Sequence, residues 1–187
     1  MTENVRKVLH LSALLVPLLC ELISKSVVLC LLFIITTGYV LEEVLRLKHQ
    51  PTPIITRFTL KMSQPEERSS FIIRPIYLAI GIILTLILYS SSIAYSSICI
   101  GANGDPVAAI VGGKFGRRRI IGRKTLEGFV AGLTASFLLA SVIVSPLVAS
   151  VGSIGAKVME LVDVPDDNLT MMIVAGALMT LATVNLQ

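Results

Sequence analysis

The sequence predicts an all-α, polytopic integral membrane bundle of about seven transmembrane helices, with six as the alternative count. Three observations carry this. Hydrophobic residues make up 54% of the 187 positions and charged residues only 15%, against roughly 25% charge in a soluble domain. Mean hydropathy is +0.84. The cations are clustered: fourteen of the sixteen, all but Lys25 and Lys157, lie in the head, the 42–74 region or the loop after Gly113. Such clusters stay on the cytoplasmic side of a membrane. The length fits one domain, 1–187.

Apolar residues run from Val8 to Ile23, with Pro17 and Glu21 inside the run, and again from Ser26 to Leu41 after a Ser24-Lys25 turn. Both fall a little short of the ~20 residues a span requires. Glu42–Lys48 reads as a helical continuation, ended by Pro51 and Pro53. Further runs cover Pro75–Tyr89, Ile93–Ile100 leading into GANGD and AAIVGG, Leu126–Val148, the more polar Gly152–Asp163, and Leu169–Val184. Glycines at membrane depth belong where backbone is buried in protein or lines a wet cavity. No run shows strand periodicity. Alternating sides from a cytoplasmic N-terminus puts the 114–125 loop inside and the C-terminus outside. No small-residue cleavage site precedes Lys25, so a cleavable signal peptide is not expected. The three cysteines lack the paired spacing of a disulfide frame or zinc site.

The chemistry concentrates between Gly104 and Phe129, GDPVAAIVGGKFGRRRIIGRKTLEGF. Asp105 lies in an apolar span, where a charge costs roughly 2.5–3.5 kcal/mol on insertion scales. It suits a magnesium ligand or a base for a hydroxyl; Asp before Pro is also a good helix start. Gly112, Gly113 and Gly116 surround Lys114, and glycines let backbone N–H groups approach phosphate oxygens. The pattern is not a Walker loop, because Ala108 stands where Gly is needed and Phe115 follows the lysine. Arg117, Arg118, Arg119, Arg123 and Lys124 either hold phosphate or obey the positive-inside rule. Glu127 serves a metal, pairs with Lys124 or stabilises a helix start. Asp166-Asp167-Asn168 offers hard oxygen donors for magnesium, or an N-cap. Arg6, Lys7 and His10 mark the entry to the first helix and face a cavity or anchor it. Gly128, Ala131, Gly132 and Ala135 are small enough to bring helices close, within or between chains.

Taken together, RKVLH at the head, EEVLRL after the second run, GDPVAAIVGGKFG with RKTLEG, and MELVDVPDDNLT near the end resemble the polyprenol kinase family: dolichol kinases, phytol kinases and CTP-dependent diacylglycerol kinases. The pieces fall in the family's order and cover nearly the whole chain. Met171-Met172 departs from the Ile-Pro that the family more often has there. The resemblance implies a membrane-embedded kinase moving phosphate from a nucleoside triphosphate, usually CTP, to a lipid alcohol with Mg2+. It places catalytic residues at Asp105, Lys124 and Glu127. Nucleotide and phosphate contacts fall on Gly104, Gly112, Lys114, Gly116, Arg123, Lys124 and Gly128, and metal ligands on Asp105, Asp166 and Asp167. Supporting positions are Arg6, Lys7, His10, Glu43, Arg46 and Asn168. The expected location is the cell membrane or endoplasmic reticulum membrane, with the site facing the cytoplasm, the partners being nucleotide and membrane lipid but no nucleic acid. A cytidylyltransferase making a CDP-lipid is the neighbouring alternative, although its HGG and DRxD signatures are absent. A small non-catalytic transporter is the alternative from another class.

Overall fold

The computed structural model describes residues 2–48, 60, 70–122, 124–162 and 166–185, with the side chains of 2–6 and 168 left aside. Helix α1 covers Thr2–Ser12 and α2 Leu15–Leu22. The single run expected over Val8–Ile23 is thus two helices. A proline ring collides with the carbonyl four residues earlier, and four residues before Pro17 is Ala13, where the helix breaks. Pro17 itself sits in the first turn of α2, where its missing N–H has no intrahelical partner to lose. Ser24 caps α3, Lys25–Leu47, by accepting the Val27 N–H at 3.3 Å. Helix α4 is Arg74–Leu88, with Pro75 in its first turn, and α5 is Ser91–Phe115.

The GANGD segment does not interrupt α5, which continues through Gly101, Gly104, Pro106 and Gly112. A short antiparallel hairpin follows, β1 Arg119–Ile121 with β2 Lys124–Thr125, where no strand was expected. Gly122 takes φ 55° in its turn, a left-handed conformation that glycine adopts without steric cost. Thr125 then caps α6, Leu126–Ser141, accepting the Gly128 N–H at 3.3 Å. The expected run to Val148 splits, because Pro146 drives Ser145 out of the helical region and starts α7, Pro146–Met159. Helix α8 spans Asp167–Asn185, with Asp166 Oδ1 accepting the Leu169 N–H at 3.1 Å as its cap.

The architecture is all-α, but the polytopic bundle of about seven spans is not what these helices form. Among the described residues only α3 is both long and apolar enough to cross a membrane; its most apolar eighteen-residue stretch has a mean hydropathy of 2.0 and is 17% buried. A signal segment near the N-terminus meets the same two criteria, whereas a soluble core helix would be mostly enclosed. Helices α4, α6 and α7 have 15, 16 and 14 residues, and at ~1.5 Å per residue they fall well short of a ~30 Å hydrocarbon core. Helix α5 has 25 residues, but Ser, Gly, Asn103 and Asp105 dilute its apolarity.

Helix α5 is the hub. Every residue from Ile93 to Gly104 is buried. Ile98 and Ala102 join Val16, Val28, Leu78 and Leu86 in one core cluster, while Ile93 and Ile100 join Ala140, Ala149, Met171 and Met179 in another. Against α6 it presents Gly104, Ala108 and Gly112, spaced by one turn, and α6 answers with Gly128, Gly132 and Ser136. A Cβ at Gly132 would stand 2.5 Å from the Gly104 carbonyl oxygen; one at Gly128 would stand 2.6 Å from that of Ala108. Ser136 Oγ donates to the Ile100 carbonyl at 3.2 Å. This is small-residue packing, in which backbones touch because side chains are absent.

The other half is fastened by Glu43, whose side chain is fully buried. It accepts Arg46 Nη2 at 2.8 Å and Nε at 3.0 Å, and the Ile72 N–H at 3.0 Å. Arg46 also donates to the Ser70 carbonyl at 2.6 Å, and Tyr39 Oη to the Ile72 carbonyl at 3.0 Å. The end of α3 is thereby tied to the chain entering α4.

Gly132→Ala should lower the thermal unfolding midpoint, with a loss of about 1–3 kcal/mol, the usual range for overpacking. Gly38→Ala, where nothing lies within 4 Å, should leave it unchanged or raise it, since alanine favours helix by about 0.5–1 kcal/mol. Equal effects at the two positions would refute the close α5–α6 contact.

Candidate functional site

The site grows from the α5–α6 seam. Room left by Gly132 admits the ammonium of Lys157, whose side chain is 0% exposed. Its Nζ donates to the Gly104 carbonyl at 3.1 Å and forms an ion pair with Glu160, one turn further along and itself almost fully buried. Losing one partner of such a buried pair typically costs about 3–5 kcal/mol, because the survivor is left unpaired. Lys124, at the start of β2, reaches the same place. Its Nζ donates to the Glu160 carbonyl, lies 3.9 Å from Glu160 Oε1 and pairs with Asp167 Oδ2 at 3.4 Å. Burial raises the Asp167 pKa above the ordinary carboxylate value; Lys124 works against this, and the charges of Asp105 and Asp166 add to it. Asp105 is half-buried on α5 next to Gly104.

A second feature lies at the end of α5. A cavity of ≈440 Å³ is lined by Lys114, Phe115, Gly116, Arg117 and Glu127. Glu127 does not pair with Lys124. Its carboxylate accepts the Arg117 N–H at 3.0 Å and the Arg118 N–H at 3.3 Å, holding the basic loop against the start of α6. These amides, with its own backbone N–H first, lower its pKa.

Of the residues expected at the site, Lys124 and Asp167 come together, and the charge of Asp105 acts on Asp167. Gly104 contributes its carbonyl to Lys157. Gly112 and Gly128 face each other across the helix seam, so their small size serves packing. Gly116 ends α5, and Lys114 is exposed in its last turn. Asp166 uses Oδ1 to cap α8. Among the described residues no three His, Cys, Asp or Glu side chains stand assembled to hold a metal. Asp105 and Asp167 still provide hard-oxygen donors, and the charge of the first acts on the second. That suits Mg2+, which is commonly bound by one or two carboxylates with phosphate and water completing its shell. Arg123, and the side chains of Arg6 and Asn168, lie outside the described residues. Lys7 and His10 are on α1, with His10 buried, and Glu43 and Arg46 form the α3–α4 clamp. Lys157 and Glu160 were not expected at the site. Their signal is a Lys and a Glu three apart, on one helical face of an otherwise small and apolar segment.

Glu127 has a folded-state pKa below its unfolded one, so its stabilising contribution is complete above the unfolded value and disappears as pH falls through the folded one. Hydrogen exchange of the Arg117 and Arg118 amides, corrected for intrinsic pH dependence, should be slow at neutral pH and accelerate only in that acidic window. Glu127→Gln should remove the pH step. A step that persists in the variant would assign it to another group.

No family model matches the chain, and no solved structure matches it. It is 30% identical over 141 residues to Uncharacterized protein RP860 of Rickettsia prowazekii (strain Madrid E), an alignment that covers 73% of this chain and 68% of that protein. At that identity and coverage, the chain belongs to the same family as the Rickettsia protein.

Proposed function

We propose that the chain is a lipid alcohol kinase, transferring the terminal phosphate of a nucleoside triphosphate to a lipid hydroxyl. The observation that carries this reading is one basic loop serving two places: Lys114 and Arg117 line the open cavity, and Lys124 reaches Asp167. Phosphoryl transfer demands positioning and charge neutralisation more than covalent chemistry, and a cationic cavity joined to carboxylates supplies both. CTP is the donor implied by the motifs that resemble polyprenol kinases.

In this reading Lys114, Arg117 and Lys124 bind the polyphosphate. Asp105 and Asp167 would hold Mg2+, which when bound neutralises phosphate charge. The lipid hydroxyl oxygen bonds to the γ-phosphorus, its proton passes to a carboxylate, and the bond from that phosphorus to the β–γ bridging oxygen breaks, releasing the nucleoside diphosphate. Glu127 acts by holding the Arg117–Arg118 backbone in place. Helix α3 is the membrane contact, with the basic loop on the cytoplasmic side as the positive-inside rule requires.

Purified protein incubated with labelled CTP or ATP, Mg2+ and a panel of lipid alcohols should yield a lipid phosphate and a nucleoside diphosphate. Release of pyrophosphate would indicate cytidylyl transfer instead, and no turnover with any alcohol would overturn the kinase reading. Asp105→Asn should lower turnover by about a hundredfold or more, in keeping with loss of a positioned acid–base or ligand carboxylate, while leaving the circular dichroism spectrum unchanged. Lys124→Ala should raise the nucleotide KM; an unchanged KM and kcat would remove Lys124 from the phosphate site. Excess chelator should abolish turnover, and full activity in its presence would refute the metal ligands.

A further inference from the structure

A feature not used by the proposed site is an apolar cavity of ≈310 Å³ lined by α1, α2, α3 and α4, within the range of about 300–1,000 Å³ usual for small-molecule sites. Its wall contains three hydroxyls, and each already donates to a backbone carbonyl: Ser12 to Leu9 at 2.6 Å, Thr36 to Leu32 at 2.7 Å and Tyr39 to Ile72 at 3.0 Å. What remains is a hydrocarbon surface, so a polar occupant would lose its water contacts without replacement. The cavity opens toward the outer face of α3, because Ile35 lines it and is also 66% exposed. On the opposite wall, Leu78, Ala79 and Ile82 of α4 line it, while Gly81 in the same turn packs on the start of α8: a Cβ there would stand 3.1 Å from Leu169 Cα. Leu169 is two residues beyond Asp167. One turn of α4 therefore separates the cavity from the helix end that carries the acids.

We propose that this cavity seats the hydrocarbon chain of the lipid alcohol, entering from the bilayer past Ile35. The assignment of the occupant as substrate rests on the kinase reading; the chemistry of the wall does not. A chain seated there is held by apolar burial alone, so affinity rises with chain length until the cavity is full.

The full chain, reconstituted in phosphatidylcholine vesicles, would be photolabelled with a diazirine-bearing palmityl alcohol and the labelled peptides mapped. Label is expected in the stretches around Leu9–Val16, Ile35–Tyr39 and Pro75–Ile82, competed by unlabelled long-chain but not short-chain alcohol. Ala79→Trp, which fills the cavity, should cut this labelling by about tenfold or more, as pocket occlusion by several methylene equivalents implies, with binding of a fluorescent CTP analogue unchanged. Label spread over the outer face of α3, or labelling unaltered by Ala79→Trp, would overturn the seat. Should the variant not fold, the map on the unaltered protein decides alone. Labelling of the seat without phosphate transfer would uphold the cavity and remove the kinase reading.

Discussion

Two helices that touch through their backbones set the position of nearly everything else. Where α5 and α6 meet, there is no room for side chains at Gly104, Gly128 or Gly132. The space that remains beside Gly132 is taken by the Lys157 ammonium, which caps the Gly104 carbonyl and fixes Glu160. Glu160 offers its carbonyl and carboxylate to Lys124, and Lys124 carries the hairpin to Asp167. Each contact relies on the one before it. A methyl group at the seam displaces a charge two helices away, because protein interiors are close-packed and transmit displacement rather than absorb it.

The cluster this produces is rich in charge for so apolar a chain. Two ammoniums, Lys124 and Lys157, face the carboxylates of Glu160 and Asp167 in a partly desolvated setting. There, unpaired charge is expensive and paired charge is held in one geometry. The two lysines differ in a way that matters. Lys157 is sealed, whereas a third of the Lys124 side chain is exposed, so Lys124 can exchange its acids for another anion. In the proposed reaction, a polyphosphate arriving at Lys114 and Arg117 would compete for Lys124 and free Asp167 in the same event.

Helical content was legible because apolar runs and their breaks follow local sequence. The number of membrane spans was not, because hydropathy measures apolarity and not the length of unbroken helix. Pro17 and Pro146 divide two runs, and their steric effect on the residues before them is readable once it is applied. The GANGD glycines act as packing surface, a role that appears only when Ser136 of α6 is placed against Gly104 and Met172 of α8 against Gly101. The hairpin at 119–125 is too short to have a period. At the site, Asp105, Lys124 and Asp167 stood out as polar residues flanking apolar runs, and Lys124 does pair with Asp167. Glu127 was visible, but its partners, the amides of Arg117 and Arg118, depend on loop geometry. Lys157 and Glu160 went unread because their importance lies in burial, and burial follows from tertiary register.

The Glu43–Arg46 clamp bears on the stretch between Lys48 and Ser70. Side chains of α3 grip the backbone of residues 70 and 72 directly, so the registration of α3 on α4 is set by noncovalent atoms and not by the covalent path between them. The packing of α3 on α4 is therefore specified by side chains of α3 and the backbone at the entry to α4, whatever the covalent path between them contains.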